Sequence, residues 1–284
     1  MHGWRVIAEK EIAGAVEELS SRASVDLPGD VEEALRRSLE AETSSDARYA
    51  LEMILENARV ARAEGLPLCP DTGMFHLFVE VGEGACLPHR WREAADRGMA
   101  AATARVPLRS SLVDDPLFSR QDRGDNTPIL IHPGDGGPAG GARLTLLAKG
   151  GGSENAACLR MLLPGEGAEG LKRAVLAAVR EKAPAACPPV VVSVGVGSDA
   201  AGAMDLGLRG LLRPLGERNP RWALAELEEE LLAAVNATGI GAAGLGGGVT
   251  ALDVHVEEAP AHIACLPVGI VICCHSLRRR GKEV

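Results

Sequence analysis

The spacing of apolar side chains predicts that the first 65 residues are mainly helical. Apolar residues recur there every three or four positions, which is the spacing of one face of an α-helix. They form three groups: Ile12, Val16 and Leu19; Val31, Leu35 and Leu39; and Leu51, Ile54, Leu55 and Ala58. We therefore expect helices to account for most of this region.

From about residue 75 the pattern changes to short apolar stretches that are typical of β-strands. The stretches are HLFVEV (76–81), TPILIH (127–132), ARLTLLA (142–148), VVVSV (190–194) and ALDVHVE (251–257). The uninterrupted VVVSV run predicts a strand that is buried on both faces. ALDVHVE alternates between apolar and polar residues, which predicts a half-buried strand.

Helical spacing returns between these strands. The apolar faces are Leu171, Val175 and Val179; Met204, Leu208 and Leu211; and Leu224, Leu227, Leu231 and Val235. Asn219 and Pro220 are expected to be the N-cap and first-turn residues of the last helix. Because no linker or repeat divides the chain, we expect one mixed α/β (α+β) domain over 1–284. Its region 1–65 is mainly helical and its region 66–284 is mixed α/β.

Composition and charge narrow the possible partners. Aromatic residues make up only 2% of the chain, so Leu, Val, Ile and Ala must fill the core. The formal net charge of −9 argues against binding to nucleic acid or to an anionic membrane surface. No apolar run approaches the roughly 18 residues that a membrane-spanning helix needs. The N-terminal segment carries charges where a signal peptide needs an apolar stretch, so we expect a cytoplasmic protein.

The seven cysteines are odd in number and widely scattered, which does not resemble a disulfide framework. No paired C-x-x-C motif indicates a zinc site. In a reducing compartment, buried thiols and metal ligands are the two remaining interpretations.

Two loop segments carry candidate chemistry. In Pro67–Gly73, Cys69 is flanked by two prolines and followed by Asp71, an arrangement that could hold a thiolate on a metal beside an acid–base group. An ordinary turn with an incidental cysteine is the alternative. In the segment 149–155, three consecutive glycines after a strand expose backbone N–H groups that could bind carboxylate or phosphate oxygens. The alternative there is a flexible turn.

Further cysteines lie near strand ends. Cys187 precedes two prolines and the VVVSV strand, where it is either a ligand or a small core thiol. Cys273 and Cys274 are adjacent, so in a regular strand their side chains point to opposite faces. The basic residues Arg279 and Arg280 are expected to face solvent.

A glycine-rich segment at 239–248 matches the spacing of a dinucleotide-binding turn. A helix precedes it and a strand follows it, which is the reverse of the order in a Rossmann turn. We therefore reject nucleotide binding there. A loop that wraps a ligand or cluster remains open.

Several motifs occur together in one order along the chain. They are LCPDTG, RSSLVDDP, RGDNTPILIH, KGGGSENAACLRMLLP, APAACPPV, GIGAAGLGGGVTALDVHVE and HIACLPVGIVICCHSLRR. This set resembles the class I, iron–sulfur-dependent fumarate hydratase family, as its separate α subunit, from about residue 10 to the end. The family includes the closely related L-tartrate dehydratases.

The resemblance implies a [4Fe–4S] cluster bound by Cys69, Cys187 and Cys274. Cys274 takes the third ligand position because it lies twelve residues after the motif histidine, His262. Three thiolates leave one iron with open positions, and that iron can act as a Lewis acid. The remaining cysteines are then structural: Cys86, Cys158, Cys265 and Cys273.

The resemblance also implies roles for residues around the cluster. Asp71 matches an aspartate that transfers a proton, and His262 matches a histidine that borders the site. Arg109 and the loop Gly150, Gly151 and Gly152 match contacts to substrate carboxylates. Pro70 departs from the family pattern, which usually has a glutamine there, and this leaves the substrate open.

The expected function is reversible hydration of fumarate to L-malate, with L-tartrate dehydration as the alternative. A non-catalytic iron–sulfur sensor of redox state or iron is a further alternative from another class. Single-chain members carry a further C-terminal domain, so the resemblance implies that a β subunit completes the active site. It also implies pairing of α chains in a heterotetramer and a small dicarboxylate as substrate.

Overall fold

The computed structural model describes residues 4–284, which form two compact units. Unit 1 consists of residues 4–28, 57–151 and 278–284, and unit 2 consists of residues 29–56 and 152–277. The chain therefore passes between the units more than once, which no local pattern in the sequence predicts. Residues 1–3, part of the region predicted to be mainly helical, lie outside the described residues. The single-domain organisation stays a prediction.

The expected mixed α/β class is confirmed. The helices are α1 (Glu9–Val25), α2 (Gly29–Ala41), α3 (Ser45–Glu64), α4 (Trp91–Arg105), α5 (Gly151–Asn155), α6 (Gly167–Lys182), α7 (Ala200–Gly210) and α8 (Trp222–Asn236). The strands are β1 (Arg5–Val6), β2 (Met74–Val81), β3 (Ala85–Cys86), β4 (Leu130–Asp135), β5 (Ala142–Lys149), β6 (Cys158–Leu162), β7 (Val190–Ser198), β8 (Ala251–Ala261), β9 (Leu266–Cys273) and β10 (Arg278–Glu283). Across residues 4–284, the helices are too short or too polar to cross a membrane.

Unit 1 is built around a four-stranded sheet in the order β10-β5-β2-β4. β2 pairs antiparallel with β5 and parallel with β4. Phe75 and Leu77 of β2 and Leu146 of β5 belong to one core, together with Val16 of α1 and Met99 of α4. Alternate residues of a strand share a face, so this pattern places α1 and α4 on one side of the sheet.

The basic segment at the end of the chain is the strand β10, not a solvated tail. It pairs antiparallel with β5, with Arg278 opposite Ala148. Arg279 is only 8% exposed, and Arg280 Nη2 lies 2.7 Å from Asp26 Oδ2. The expectation that Arg279 and Arg280 face solvent is therefore wrong, because pairing with a distant strand brings both into the structure.

Unit 2 is built around a second four-stranded sheet in the order β6-β9-β7-β8. β7 lies inside the sheet, parallel to β8 and antiparallel to β9. Its residues Val192 and Val194 are completely buried, as VVVSV predicted. They share a core with Ile270 of β9, Val175 of α6 and Leu231 of α8.

Helix α8 begins later than predicted. Its N-cap is Arg221, and its first helical residue is Trp222. The side chain of Asn219 accepts a hydrogen bond from the backbone N–H of Arg221 at 2.9 Å and donates one to the carbonyl of Val256 at 2.8 Å. Asn219 therefore forms a turn that fastens the preceding loop to β8, and the N-cap prediction is wrong by two residues.

Strand β8 is buried more completely than its alternating pattern predicted. Asp253 is 1% exposed, and its carboxylate lies 2.7 Å from Arg218 Nη2 and 3.3 Å from His255 Nε2. The buried carboxylate of Glu228 in α8 lies 2.5 Å from Arg213 Nη2. Arginines from the loop before α8 therefore cover the polar face of the strand, so that its charges are paired rather than exposed.

This charge network predicts a pH dependence of stability. Burial alone would raise the pKa of Asp253, but the His255 side chain, the Gly216 N–H group and Arg218 outweigh burial and lower the pKa from 3.8 to about 2. A lowered native pKa means that the carboxylate stabilises the folded state above its unfolded pKa and loses this contribution as the pH falls toward 2.

We expect the stability advantage of the wild type over Asp253→Asn to shrink by about 2 kcal/mol between pH 5 and pH 2. Urea unfolding of both proteins across that range measures the effect. A stability difference that stays constant with pH would show that the charge of Asp253 is not what stabilises the network.

Candidate functional site

Two loops meet at one end of the unit 1 sheet. Met74 starts β2 directly opposite Lys149, the last residue of β5. The segment 67–73 therefore enters β2 beside the point where β5 continues into the glycine loop. Antiparallel pairing thus brings together two motifs that lie far apart in the sequence.

The backbone just before Cys69 is held firmly within unit 1. The N–H of Leu68 donates to the carbonyl of Ser24 at 2.8 Å, and the side chain of Asn57 donates to the carbonyl of Leu68 at 2.9 Å. Cys69 itself is a free, partly exposed thiol. A fixed backbone and an accessible sulfur are the properties that a ligating cysteine needs.

The carboxylate of Asp71 lies between the other predicted site residues of unit 1. Its Oδ2 accepts a hydrogen bond from the backbone N–H of Gly151 at 2.6 Å. Its Oδ1 lies 3.7 Å from Nη2 of Arg109, and the two side chains are 31% and 66% exposed. The structure thus brings four of the predicted site residues together: Asp71, Arg109, Gly150 and Gly151.

Close backbone approach explains two of the glycines. A β-carbon at Gly73, which has a φ of +78°, would lie 2.2 Å from the carbonyl oxygen of Lys149. A β-carbon at Gly150 would lie 2.9 Å from Oδ2 of Asp71. A side chain at Gly73 would push the two loops apart, whereas a side chain at Gly150 would displace the carboxylate of Asp71.

Asn126 holds the loop that carries Arg109, and it was missed in the sequence. Its side chain accepts a hydrogen bond from the N–H of Ser111 at 2.8 Å and donates one to the carbonyl of Arg109 at 3.3 Å. The Ser111 hydroxyl in turn accepts a hydrogen bond from the N–H of Gly73 at 3.3 Å. Asn126 is 1% exposed, so it positions Arg109 rather than meeting substrate.

In unit 2, two of the predicted ligands lie on adjoining backbone segments. The carbonyl of Cys187 lies 3.4 Å from the backbone nitrogen of His275 and 2.9 Å from its Nδ1. The N–H of Cys274 donates to the hydroxyl of Ser153 at 3.1 Å. Cys273 is 1% exposed whereas Cys274 is partly exposed, which agrees with the expectation that their side chains point in opposite directions.

Two neighbours of these cysteines also take part in this arrangement. His275 directly links the Cys187 segment to the end of β9, although the sequence alone gave no reason to prefer it over His262. Gly152, the last glycine of the loop, would place a β-carbon 3.0 Å from the carbonyl oxygen of Ala185, just before Cys187. Gly152 thus packs beside the cysteine segment within unit 2.

His262 is not brought together with Cys187 and Cys274. It is exposed in the connection before β9, where its Nδ1 accepts a hydrogen bond from the N–H of Ala264 at 3.2 Å. Cys274 follows the other end of β9, and an eight-residue strand spans about 25 Å. A role for His262 at the site stays a prediction.

The glycine-rich loop at 239–248 is bound by a carboxylate of the chain itself. Glu42, only 4% exposed, accepts hydrogen bonds from the N–H groups of Gly248 at 2.8 Å, Thr43 at 2.9 Å and Ser44 at 3.0 Å. Burial acts to raise the pKa of Glu42, but these backbone donors outweigh it and the pKa is lowered. Helix α8 precedes this loop and β8 follows it, so the predicted order of helix, glycine-rich loop and strand is confirmed.

The chemistry of the cysteines bears on which metal group they could hold. Over residues 4–284, no three His, Cys, Asp or Glu side chains are arranged to hold one ion. In an iron–sulfur cluster each cysteine ligates a different iron atom, so the sulfurs need not converge on one point. Across residues 4–284 the cysteines form no disulfide bonds, and thiolates are soft ligands that favour iron–sulfur clusters over hard cations. The donor set therefore fits a cluster.

Comparison with known proteins agrees with this arrangement. The family model described as fumarate hydratase (Fumerase) matches residues 13–283. A putative L(+)-tartrate dehydratase subunit alpha from Methanocaldococcus jannaschii is 38% identical over 279 residues, covering 96% of this chain and 98% of the relative. The L(+)-tartrate dehydratase subunit alpha of Escherichia coli strain K12 is 31% identical over 280 residues, covering 96% and 90%.

These matches run through all the motifs described above, from the N-terminal helices to β10. A family match over nearly the whole chain, together with relatives of similar length, leaves no part of the site outside the similarity. The chain therefore belongs to the fumarate hydratase (Fumerase) family of hydro-lyases, which includes α subunits of L-tartrate dehydratases.

Proposed function

We propose that this chain is the α subunit of an iron–sulfur hydro-lyase that removes water from L-tartrate. The observation that carries the proposal is Asp71, held between the Gly151 N–H group and the Arg109 guanidinium. An acid–base carboxylate beside a cation suits a dicarboxylate that must lose a proton next to one of its carboxylates.

The choice of tartrate over fumarate rests on two facts. The relatives at 38% and 31% identity carry the name L(+)-tartrate dehydratase. Pro70 also replaces the glutamine that usually follows the first cysteine in fumarate hydratases, and proline offers neither a side-chain amide nor a backbone N–H group. Fumarate hydration is the second candidate, because the matching family model is named for it.

Cys69, Cys187 and Cys274 are the residues that would hold a [4Fe–4S] cluster. When bound, such a cluster supplies a Lewis acid at the iron that lacks a protein ligand. Arg109 would orient one substrate carboxylate, and Asp71 would exchange the proton at the neighbouring carbon. The loss of that proton and of a hydroxide converts a dihydroxy dicarboxylate into the enol of a 2-oxo dicarboxylate.

A β subunit completes the enzyme in this proposal. Both relatives are named as subunit alpha, and such a name implies a partner chain. The chain alone would bind the cluster and remain inactive. Pairing of α chains within a heterotetramer remains part of the same proposal.

The substrate preference predicts a clear kinetic result. The chain co-expressed with its β partner and assayed without oxygen should turn over L-tartrate with a kcat/KM at least ~100-fold higher than for fumarate. A site that hydrogen-bonds a second hydroxyl discriminates strongly against substrates that lack it. Initial rates with each substrate, using the Cys274→Ser complex as the inactive control, measure the preference.

Fumarate turnover without tartrate turnover would reverse the order of the two candidates. An assembled, cluster-loaded complex that acts on neither dicarboxylate would favour the sensor function instead.

A further inference from the structure

Arg278 is a buried cation whose side chain has no hydrogen-bond or ion-pair partner among residues 4–284. It begins β10, is 2% exposed and is among the largest completely buried side chains. Its Nε has no hydrogen-bond partner, and its side chain forms no ion pair with any of the residues 4–284. Arg280 on the same strand differs sharply, because it bonds Asp26 and the carbonyl of Leu27.

The guanidinium of Arg278 lies near Gly150 and Asp71. Its Nη2 is 3.8 Å from the position that a β-carbon would take at Gly150, and Oδ2 of Asp71 is 2.9 Å from the same point. The guanidinium of Arg278 and the carboxylate of Asp71 therefore both border the side of Gly150 where a side chain would lie. Arg109 lies near the other oxygen of that carboxylate.

A buried, unpaired guanidinium is costly, because its lost hydration is not replaced by a counter-charge. A role in positioning Asp71 would require an ion pair between them, and none is formed within 4.0 Å. A structural role would require hydrogen bonds from the guanidinium to the chain, such as those that Arg280 makes through Nη2, and the Arg278 side chain makes none with residues 4–284. A ligand that brings the counter-charge accounts for both the burial and the missing partner.

We propose that Arg278 binds a carboxylate of the substrate, so that Arg109 and Arg278 hold the two ends of one dicarboxylate beside Asp71. This inference rests on the proposed function, which supplies the dicarboxylate. Guanidinium groups bind carboxylates with two parallel hydrogen bonds, which fixes orientation as well as charge. The carboxylate at Arg278 is shielded from water, whereas the one at Arg109 stays near solvent.

Arg278→Met, paired with Arg280→Met as control, tests the proposal in the complex with the β subunit. Methionine removes the unpaired charge, so we expect the ligand-free melting temperature to stay equal or rise. The melting-temperature increase caused by succinate, a dicarboxylate without a hydroxyl, should disappear. The KM for L-tartrate should rise about 100-fold, as expected for truncating a buried charge pair. Arg278→Lys should recover part of this loss.

The control should behave in the opposite way. Arg280→Met breaks the pair with Asp26, so its melting temperature should fall while the succinate effect remains. Butyrate, which has one carboxylate, should stabilise the wild type less than succinate does.

The results of these experiments distinguish carboxylate binding at Arg278 from the proposed dehydration of tartrate. If Arg278→Met fails to fold, or keeps the wild-type KM and succinate effect, the inference is wrong even where tartrate is turned over. A wild type with no succinate effect also overturns it. If succinate binding depends on Arg278 but no tartrate is consumed, the result supports carboxylate binding at Arg278 and contradicts the proposed dehydration of tartrate.

Discussion

Replacing Cys274 with serine is expected to remove the iron–sulfur cluster and all hydro-lyase activity, whereas Cys273→Ser should leave both intact. Cys274 is partly exposed next to the Cys187 segment, while Cys273 is 1% exposed in the core of unit 2. A serine hydroxyl is a poor substitute for a thiolate on iron, but it is nearly the same size as a buried thiol. Cys187→Ser should lose the cluster as Cys274→Ser does.

Iron and acid-labile sulfide, measured after reconstitution without oxygen, give the result directly. We expect about four of each per wild-type chain, the content of one [4Fe–4S] cluster. Adjacent cysteines make this a matched pair, because the two variants differ by one position on the same strand end. Loss of the cluster in Cys273→Ser and its retention in Cys274→Ser would shift the ligand assignment by one residue. No iron in the wild type, with or without the β subunit, would reject the cluster.

The spacing of apolar residues predicted correctly those helices and strands whose buried face is apolar in their own sequence. β2, β5 and β7 lie where their apolar runs placed them, and the helical faces of α1 to α3 are present. β10 was missed because an Arg-rich segment is read as solvated until its pairing partner, β5, is known. The polar face of β8 was read as open for the same reason, since the arginines that cover it lie some 40 residues away in sequence.

The candidate site shows the same limit. The motifs identified Asp71, Arg109, Gly150 and Gly151, and the structure brings these together within unit 1. The supporting residues were not visible, because Asn126 acts through hydrogen bonds to backbone atoms of a different segment. Arg278 was hidden in a basic run that sequence reasoning treats as surface. Residues that act by position, rather than by motif, emerge only when the strands are paired.

Asp71→Asn is expected to lower kcat by 10²–10⁴-fold, the usual contribution of a general acid–base group, while the cluster is retained. The asparagine side-chain oxygen can still accept the hydrogen bond from Gly151, so the two loops should keep their positions. An amide cannot exchange the proton that the reaction moves. Steady-state rates with L-tartrate, together with the iron content of the same preparation, measure both parts of the prediction.

Asp114→Asn provides the matched control, because Asp114 is an exposed aspartate of unit 1 whose ion-pair partner is Arg123 rather than Arg109. It should leave kcat unchanged. If Asp71→Asn also left kcat unchanged, proton transfer would have to be assigned to another group. If it lost iron as well, Asp71 would be needed to build the site rather than to act in it. Only a large fall in kcat with full iron content would assign proton transfer to Asp71, because the loop, the cluster and the neighbouring cations would all be unaltered.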